Sequence, residues 1–172
     1  MSTKNLYFDT IEVRSGMAPA VMEALAVAGA VAIGAQLRFP IPGTPVPVTL
    51  QTVPVLLAPF AVGRCRATAG MALYVLLGIL GTPLFAGSAG IGATFGYLLG
   101  FMVAPSLIMR FERPVAGLLA GFAVIYGCGM AWLAFWAELS FVQALMMGVV
   151  PFIPGAVLKG MAAHSLVPIV RR

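Results

Sequence analysis

"FVQALMMGVVPFIPGAVLKGMAAHSLVPIV", residues 141–170, carries a single charge, Lys159, in an otherwise apolar run interrupted by Pro151, Pro154 and Gly155. A membrane-crossing helix needs about 20 apolar residues, so this stretch is too long for one ordinary span. It reads as a short embedded helix from Phe141 to about Val150, a break, and a span from about Pro154 to Val170. Proline at the start of that span costs little, because the first helical N–H has no intrahelical partner. Lys159 then falls inside the span, near its beginning.

Working outward, the same pattern of apolar runs punctuated by Gly, Pro and Arg fills the chain. Of 172 residues, 61% are hydrophobic and 9% charged, too few polar side chains to cover a water-soluble globule. Further spans are expected at about Met17–Leu37, Val48–Val62, Thr68–Phe85, Phe95–Met109 and Val115–Trp136. Trp132, Trp136 and Glu138 are expected to mark the outer interface. The fold class expected is an all-α membrane protein with six transmembrane helices. Residues 1–16 form a polar cytoplasmic tail, and residues 17–172 form one membrane domain.

The net charge of +5 comes from basic residues in small groups between the runs: Lys4 and Arg14, Arg64 and Arg66, Arg110 and Arg113, Arg171 and Arg172. Two crossings separate each successive group. With Lys and Arg favouring cytoplasmic loops, both termini are placed inside, leaving Arg38 and Lys159 on or near the outer side. The basic residues form no stripe alternating with exposed aromatics, which argues against a nucleic-acid face. Cys65 and Cys128 are expected at different depths, without a disulfide.

Catalytic motifs are missing. The chain has no GxxxxGK[ST], no HExxH and no paired CxxC. "GIGATFG" from Gly90 lacks the preceding strand of a dinucleotide loop, Ser88 misses the GxSxG spacing, and His164 is the only histidine. Neither an enzyme, a resident cofactor nor a metal site is expected.

A lysine at the bilayer centre costs about 2.5–3.5 kcal/mol on insertion scales. Lys159 therefore either snorkels to headgroups or, with the positive end of its helix, forms an anion site suited to a carboxylate. Two loops rich in Pro and Gly, "PIPGTPVP" and "AGSAGIGAT", read as the lid and rim of an outward-facing pocket. Thr49, Gln51, Ser88, Thr94 and Tyr97 lie at or just below those loops as neutral hydrogen-bonding groups. Arg38 is either a headgroup anchor or a ligand contact. Ala20, Ala24, Ala28 and Ala32 form a small-residue stripe, with Ala26, Ala30 and Gly34 on a second. Such stripes serve either internal packing or the docking of a second membrane protein.

Four stretches in order, "RFPIPGTPVPVTLQT", "GMALYVLLGILGTPLFAG", "TFGYLLGF" and "PFIPGAVLKG", make the chain resemble the BioY family from about Ala18 onward. That family comprises the biotin-specific substrate-binding components of energy-coupling-factor (ECF) transporters. The resemblance implies biotin as transported ligand, with its carboxylate near Lys159. It also implies docking through Ala24 and Ala28 on a transmembrane coupling protein, partner ATPases that supply the missing P-loops, and the cytoplasmic membrane of a bacterium or archaeon. Solitary transport and homo-oligomers are alternatives within this reading; an intramembrane enzyme or assembly factor is the alternative outside it. The chain departs from the family pattern at Ala156, where an aspartate is common, and at Ala93 and Phe95 in "GATFGY".

Overall fold

A computed structural model describes residues 16–86 and 90–171. The helices are α1 (Met17–Gln36), α2 (Thr52–Val62), α3 (Arg64–Ile79), α4 (Phe95–Ile108), α5 (Pro114–Trp136), α6 (Phe141–Gly148) and α7 (Ile153–Val170). A two-residue antiparallel ladder, β1 (Arg38–Phe39) with β2 (Val48–Thr49), pairs Arg38 with Thr49 and Phe39 with Val48. A single 3₁₀ turn, Val150–Phe152, joins α6 to α7.

Six crossings result, with α6 as the embedded helix expected from the sequence. Its start is fixed by a capping box: the Ser140 hydroxyl accepts from the Gln143 N–H, while the Gln143 side chain accepts from the Ser140 N–H. The break before α7 follows from Pro151 and Pro154, neither of which can donate to a continuing helix.

Two expected spans need correction. The second begins at Thr52 rather than Val48, because Val48 and Thr49 are drawn into the ladder with Arg38 and Phe39. The third is Arg64–Ile79 rather than Thr68–Phe85. It starts early because Gly63, at φ 81°, turns the chain within one residue of α2. It stops early in a Schellman cap on Gly81 (φ 94°), where the Gly81 N–H reaches the Gly78 carbonyl and the Thr82 N–H reaches Leu77. Pro83 prevents the helix from resuming.

Neither α2, with 11 residues, nor α3, with 16, nor α4, with 14, can by itself cross a hydrocarbon core of about 30 Å at 1.5 Å per residue. Irregular backbone makes up the missing depth at one end of the bundle: the hairpin loop before α2, and residues 80–94 before α4 where described. Non-helical backbone at that depth must be buried in protein or line a cavity. This requirement places the site.

Elsewhere glycines set the helix spacing. A Cβ on Gly100 of α4 would lie 2.7 Å from the Ile125 Cα of α5, and one on Gly70 of α3 would lie 2.7 Å from the Ala24 carbonyl of α1. The core runs through Val31, Leu56, Met71, Tyr74, Ile108, Ile125 and Leu133. Large apolar side chains such as Leu158 (69% exposed) and Met161 (67%) cover the outer surface, as a lipid-facing surface requires. Arg64, Arg66, Arg110, Arg113 and Arg171 gather at the helix ends away from the hairpin loop. There the Arg171 guanidinium lies 5.6 Å over the Phe60 ring, and Arg66 pairs with Glu23 between α3 and α1. Cys65 on α3 and Cys128 on α5 form no disulfide.

Candidate ligand-binding site

Beneath the hairpin loop lies a cavity of about 50 Å³. Val46, Pro47, Thr49, Gln51 and Thr52 line one side; Thr94, Tyr97, Leu98, Phe101, Ile125, Tyr126, Phe152 and Lys159 line the others. Four of the residues singled out from the sequence, Thr49, Gln51, Thr94 and Tyr97, thus converge with Lys159 on one cavity. Arg38 is exposed on the outer side of the loop and is not among the lining residues. Ser88 lies outside the described residues.

Lys159, less than two turns into α7, extends its ammonium to the Thr49 backbone carbonyl at 2.8 Å. No ion-pair partner reaches it among the described residues. Thr49 is itself fixed by the β1–β2 ladder. The lysine is therefore held by a neutral acceptor that an anion can displace.

Gln51 and Tyr97 are committed to the protein. The Thr49 hydroxyl donates to the Gln51 side-chain oxygen (3.1 Å), the Gln51 amide donates to the Tyr74 hydroxyl (2.7 Å), and Tyr74 donates to the Leu84 carbonyl (3.0 Å). This relay ties the hairpin loop to α3 and to the segment after it. Gly34 is required beside it, since a Cβ there would lie 2.9 Å from the Gln51 Cα. Tyr97 threads between Gly129 and Gly148, its ring against the first and its hydroxyl donating to the carbonyl of the second at 2.6 Å. Its role is to fix α4 and the end of α6 around the cavity.

The groups still available for a ligand are others. The buried Thr52 hydroxyl has no hydrogen-bond partner, a deficit that costs about 1–3 kcal/mol in an apolar interior. Tyr126 has no hydrogen bond among the described residues; its ring stacks on Phe122 and Phe152 and meets Tyr97 edge-on. Sequence reasoning missed Thr52, Tyr74, Tyr126 and Phe152. For Thr52 a signal existed in the polar residues Thr49, Gln51 and Thr52 leading into a helix; the aromatics are indistinguishable from core.

The loop tip is fastened too. The Thr44 hydroxyl donates to the Met147 carbonyl (2.8 Å) and accepts from the Val46 N–H (3.1 Å). Trp132, expected to mark the outer interface, donates to the Gly92 carbonyl at 2.9 Å and packs on Phe95, holding the second loop. Both loops thus find partners within the bundle.

Ala28 is buried (6% exposed) and Ala24 half-buried beside α3; the outward small residues of α1 are Ala18, Ala26, Gly29 and Ala30. None of the three departures from the family pattern lines the cavity. Ala93 lies in the loop before α4, Phe95 faces Trp132, and Ala156 lines a separate apolar groove between α5 and α7.

A helical membrane bundle with a small, mostly apolar cavity, a lone ammonium and a fastened loop above it defines a small-molecule-binding membrane protein. The chain belongs to the BioY family, whose model matches residues 5–172. It is 34% identical to "Biotin transporter BioY" of Thermotoga maritima, over 72% of this chain and 78% of the relative. It is 37% identical to "Probable biotin transporter BioY" of Pyrococcus horikoshii, over 76% of this chain and 83% of the relative. Its fold matches a crystal structure of the S-component for biotin from an ECF-type ABC transporter, with TM-score 0.75 and 22% identity, over 100% of this chain and 93% of that one.

Proposed function

We propose that this chain captures biotin beneath the hairpin loop and delivers it across the cytoplasmic membrane of a bacterium or archaeon as the substrate-binding component of an ECF transporter. The observation that carries this reading is the Lys159 ammonium, set in a mostly apolar cavity and held, among the described residues, by a backbone carbonyl alone. Biotin offers what the cavity lacks: a carboxylate to take the place of the Thr49 carbonyl, apolar carbons for Phe101, Ile125 and Phe152, and ring polar atoms for Thr52 and Tyr126. It is cargo, and no resident cofactor is needed.

At about 50 Å³ the cavity is well below the roughly 300–1,000 Å³ of ligand pockets. Entry therefore requires the hairpin loop to lift, breaking the Thr44–Met147 bond while the ladder and the Gln51 relay act as its hinge. The arginine-rich face opposite the cavity is cytoplasmic by the distribution of basic residues, so the loop faces outward. Energy comes from ATPase subunits through a coupling protein docked on α1. There Ala24 is half-exposed, Ala28 shapes the face from beneath, and Ala26, Gly29 and Ala30 point outward. Relatives named as transporters support transport rather than catalysis, and nothing observed favours an enzyme or assembly factor.

Calorimetric titration of the purified protein with biotin tests the reading. Saturable binding is expected, weakened by about 2–5 kcal/mol in Lys159→Ala, where a desolvated charge contact is lost. A wild-type protein that shows no saturable heat would overturn it. Uptake of labelled biotin by cells with and without the coupling protein and ATPases separates ECF-driven from solitary transport.

A further inference from the structure

A second concavity lies on the outer side of the hairpin loop. It measures about 310 Å³ and is lined by Arg38, Pro40, Thr44, Pro45, Pro47 and Ala86. Pro47 and Ala86 also line the Lys159 cavity, so the two spaces share a wall. Of these two spaces, the outer one has the volume of a vitamin-sized molecule.

Among the described residues that line it, Arg38 is the only ionisable one. The guanidinium is exposed and makes no hydrogen bond or ion pair among the described residues. Its cross-strand partner is Thr49, the same residue whose carbonyl holds Lys159. The two cations thus stand on either side of one backbone position, one facing solvent and one facing the inner cavity. Glu138, in the turn after α5, lines neither space.

Resting on the biotin reading, we propose that this outer concavity is an encounter site for the ligand carboxylate. Arg38 attracts and orients the anion over the closed loop before the loop lifts and Lys159 receives it. An exposed charge at the mouth of a site acts on the association rate and does so less as salt rises; a buried charge contact acts on dissociation. Arg38 and Lys159 therefore have separable kinetic signatures.

Rapid mixing of radiolabelled biotin with the protein in nanodiscs of zwitterionic lipid measures both rates. For Arg38→Gln the association rate should fall about threefold to tenfold at low salt, with dissociation nearly unchanged and the difference closing near about 0.5 M salt. Arg38→Lys should retain most of the rate. Biotinamide, which lacks the charge, should bind Arg38→Gln and wild type at the same rate, whereas Lys159→Ala should act on biotin dissociation. Unchanged association in Arg38→Gln, with biotin binding intact, overturns the encounter site alone. Equal slowing for biotin and biotinamide also overturns it, and makes Arg38 an anchor for the loop or for headgroups. Loss of saturable binding in the wild type overturns the biotin reading itself.

Discussion

The Gln51 side-chain amide donates to the Tyr74 hydroxyl at 2.7 Å, joining the start of α2 to the middle of α3. Both residues are buried (5% and 0% exposed), so neither can replace the bond with water. Tyr74→Phe removes the acceptor for Gln51 and the donor for the Leu84 carbonyl together. A buried group left unpaired costs about 1–3 kcal/mol, and thermal unfolding of the variant should move down accordingly. Biotin affinity should fall less than in Lys159→Ala, because the ammonium and its acceptor are untouched. An unchanged melting temperature would show that the relay contributes no stability.

Thr52 gives the opposite pattern. Thr52 lines the cavity and its buried hydroxyl has nothing to bond, so Thr52→Val removes an unsatisfied group while nearly keeping the shape. Stability should hold or rise. Ligand affinity should fall by about 1 kcal/mol, the net worth of one neutral hydrogen bond. Melting curves recorded with and without biotin read both effects. A variant that gains stability and binds as tightly as wild type would remove Thr52 from the ligand contacts.

Thr44 fastens the loop without touching the cavity. Thr44→Val deletes the bond to the Met147 carbonyl and lowers the cost of lifting the loop by about 1 kcal/mol. Association and dissociation of biotin should both accelerate, about fivefold, with the dissociation constant little changed. Stopped-flow or rapid-filtration kinetics distinguish this from a contact residue, whose loss acts mainly on dissociation.

What the sequence disclosed follows from which signals are local. The apolar runs and their Pro, Gly and Arg boundaries are local, so α1, α4, α5 and the α6–α7 break were placed within two residues. The start of α3 was not. It rests on one left-handed glycine, Gly63, while Arg64 and Arg66 look like loop residues ahead of a span. Lys159 stood out because a charge in an apolar run has a cost that demands a partner. Tyr74, Tyr126 and Phe152 did not, since an aromatic in an apolar run looks the same whether it faces a cavity or the core. The commitment of Gln51 to Tyr74 and of Tyr97 to Gly148 links residues 23 and 51 positions apart, a relation no local pattern carries.

The small-residue stripes on α1 divide by depth of burial, and this division gives a test of docking. Ala28 is enclosed beside α3, whereas Ala26 and Ala30 point outward. A leucine at Ala28 must push into packed neighbours, at about 1–3 kcal/mol for overpacking, so Ala28→Leu should lower the melting temperature and disturb assembly only through the fold. Ala30 is exposed among the described residues, so a leucine there has room. Ala30→Leu should therefore leave melting and biotin affinity at wild-type values, yet prevent the close helix approach that small residues permit. Copurification of the tagged chain with coupling protein and ATPases, alongside calorimetry, reads the two properties separately. Full assembly by both Ala26→Leu and Ala30→Leu would move the docking face off this side of α1. Loss of assembly in Ala30→Leu with biotin binding intact would place it there.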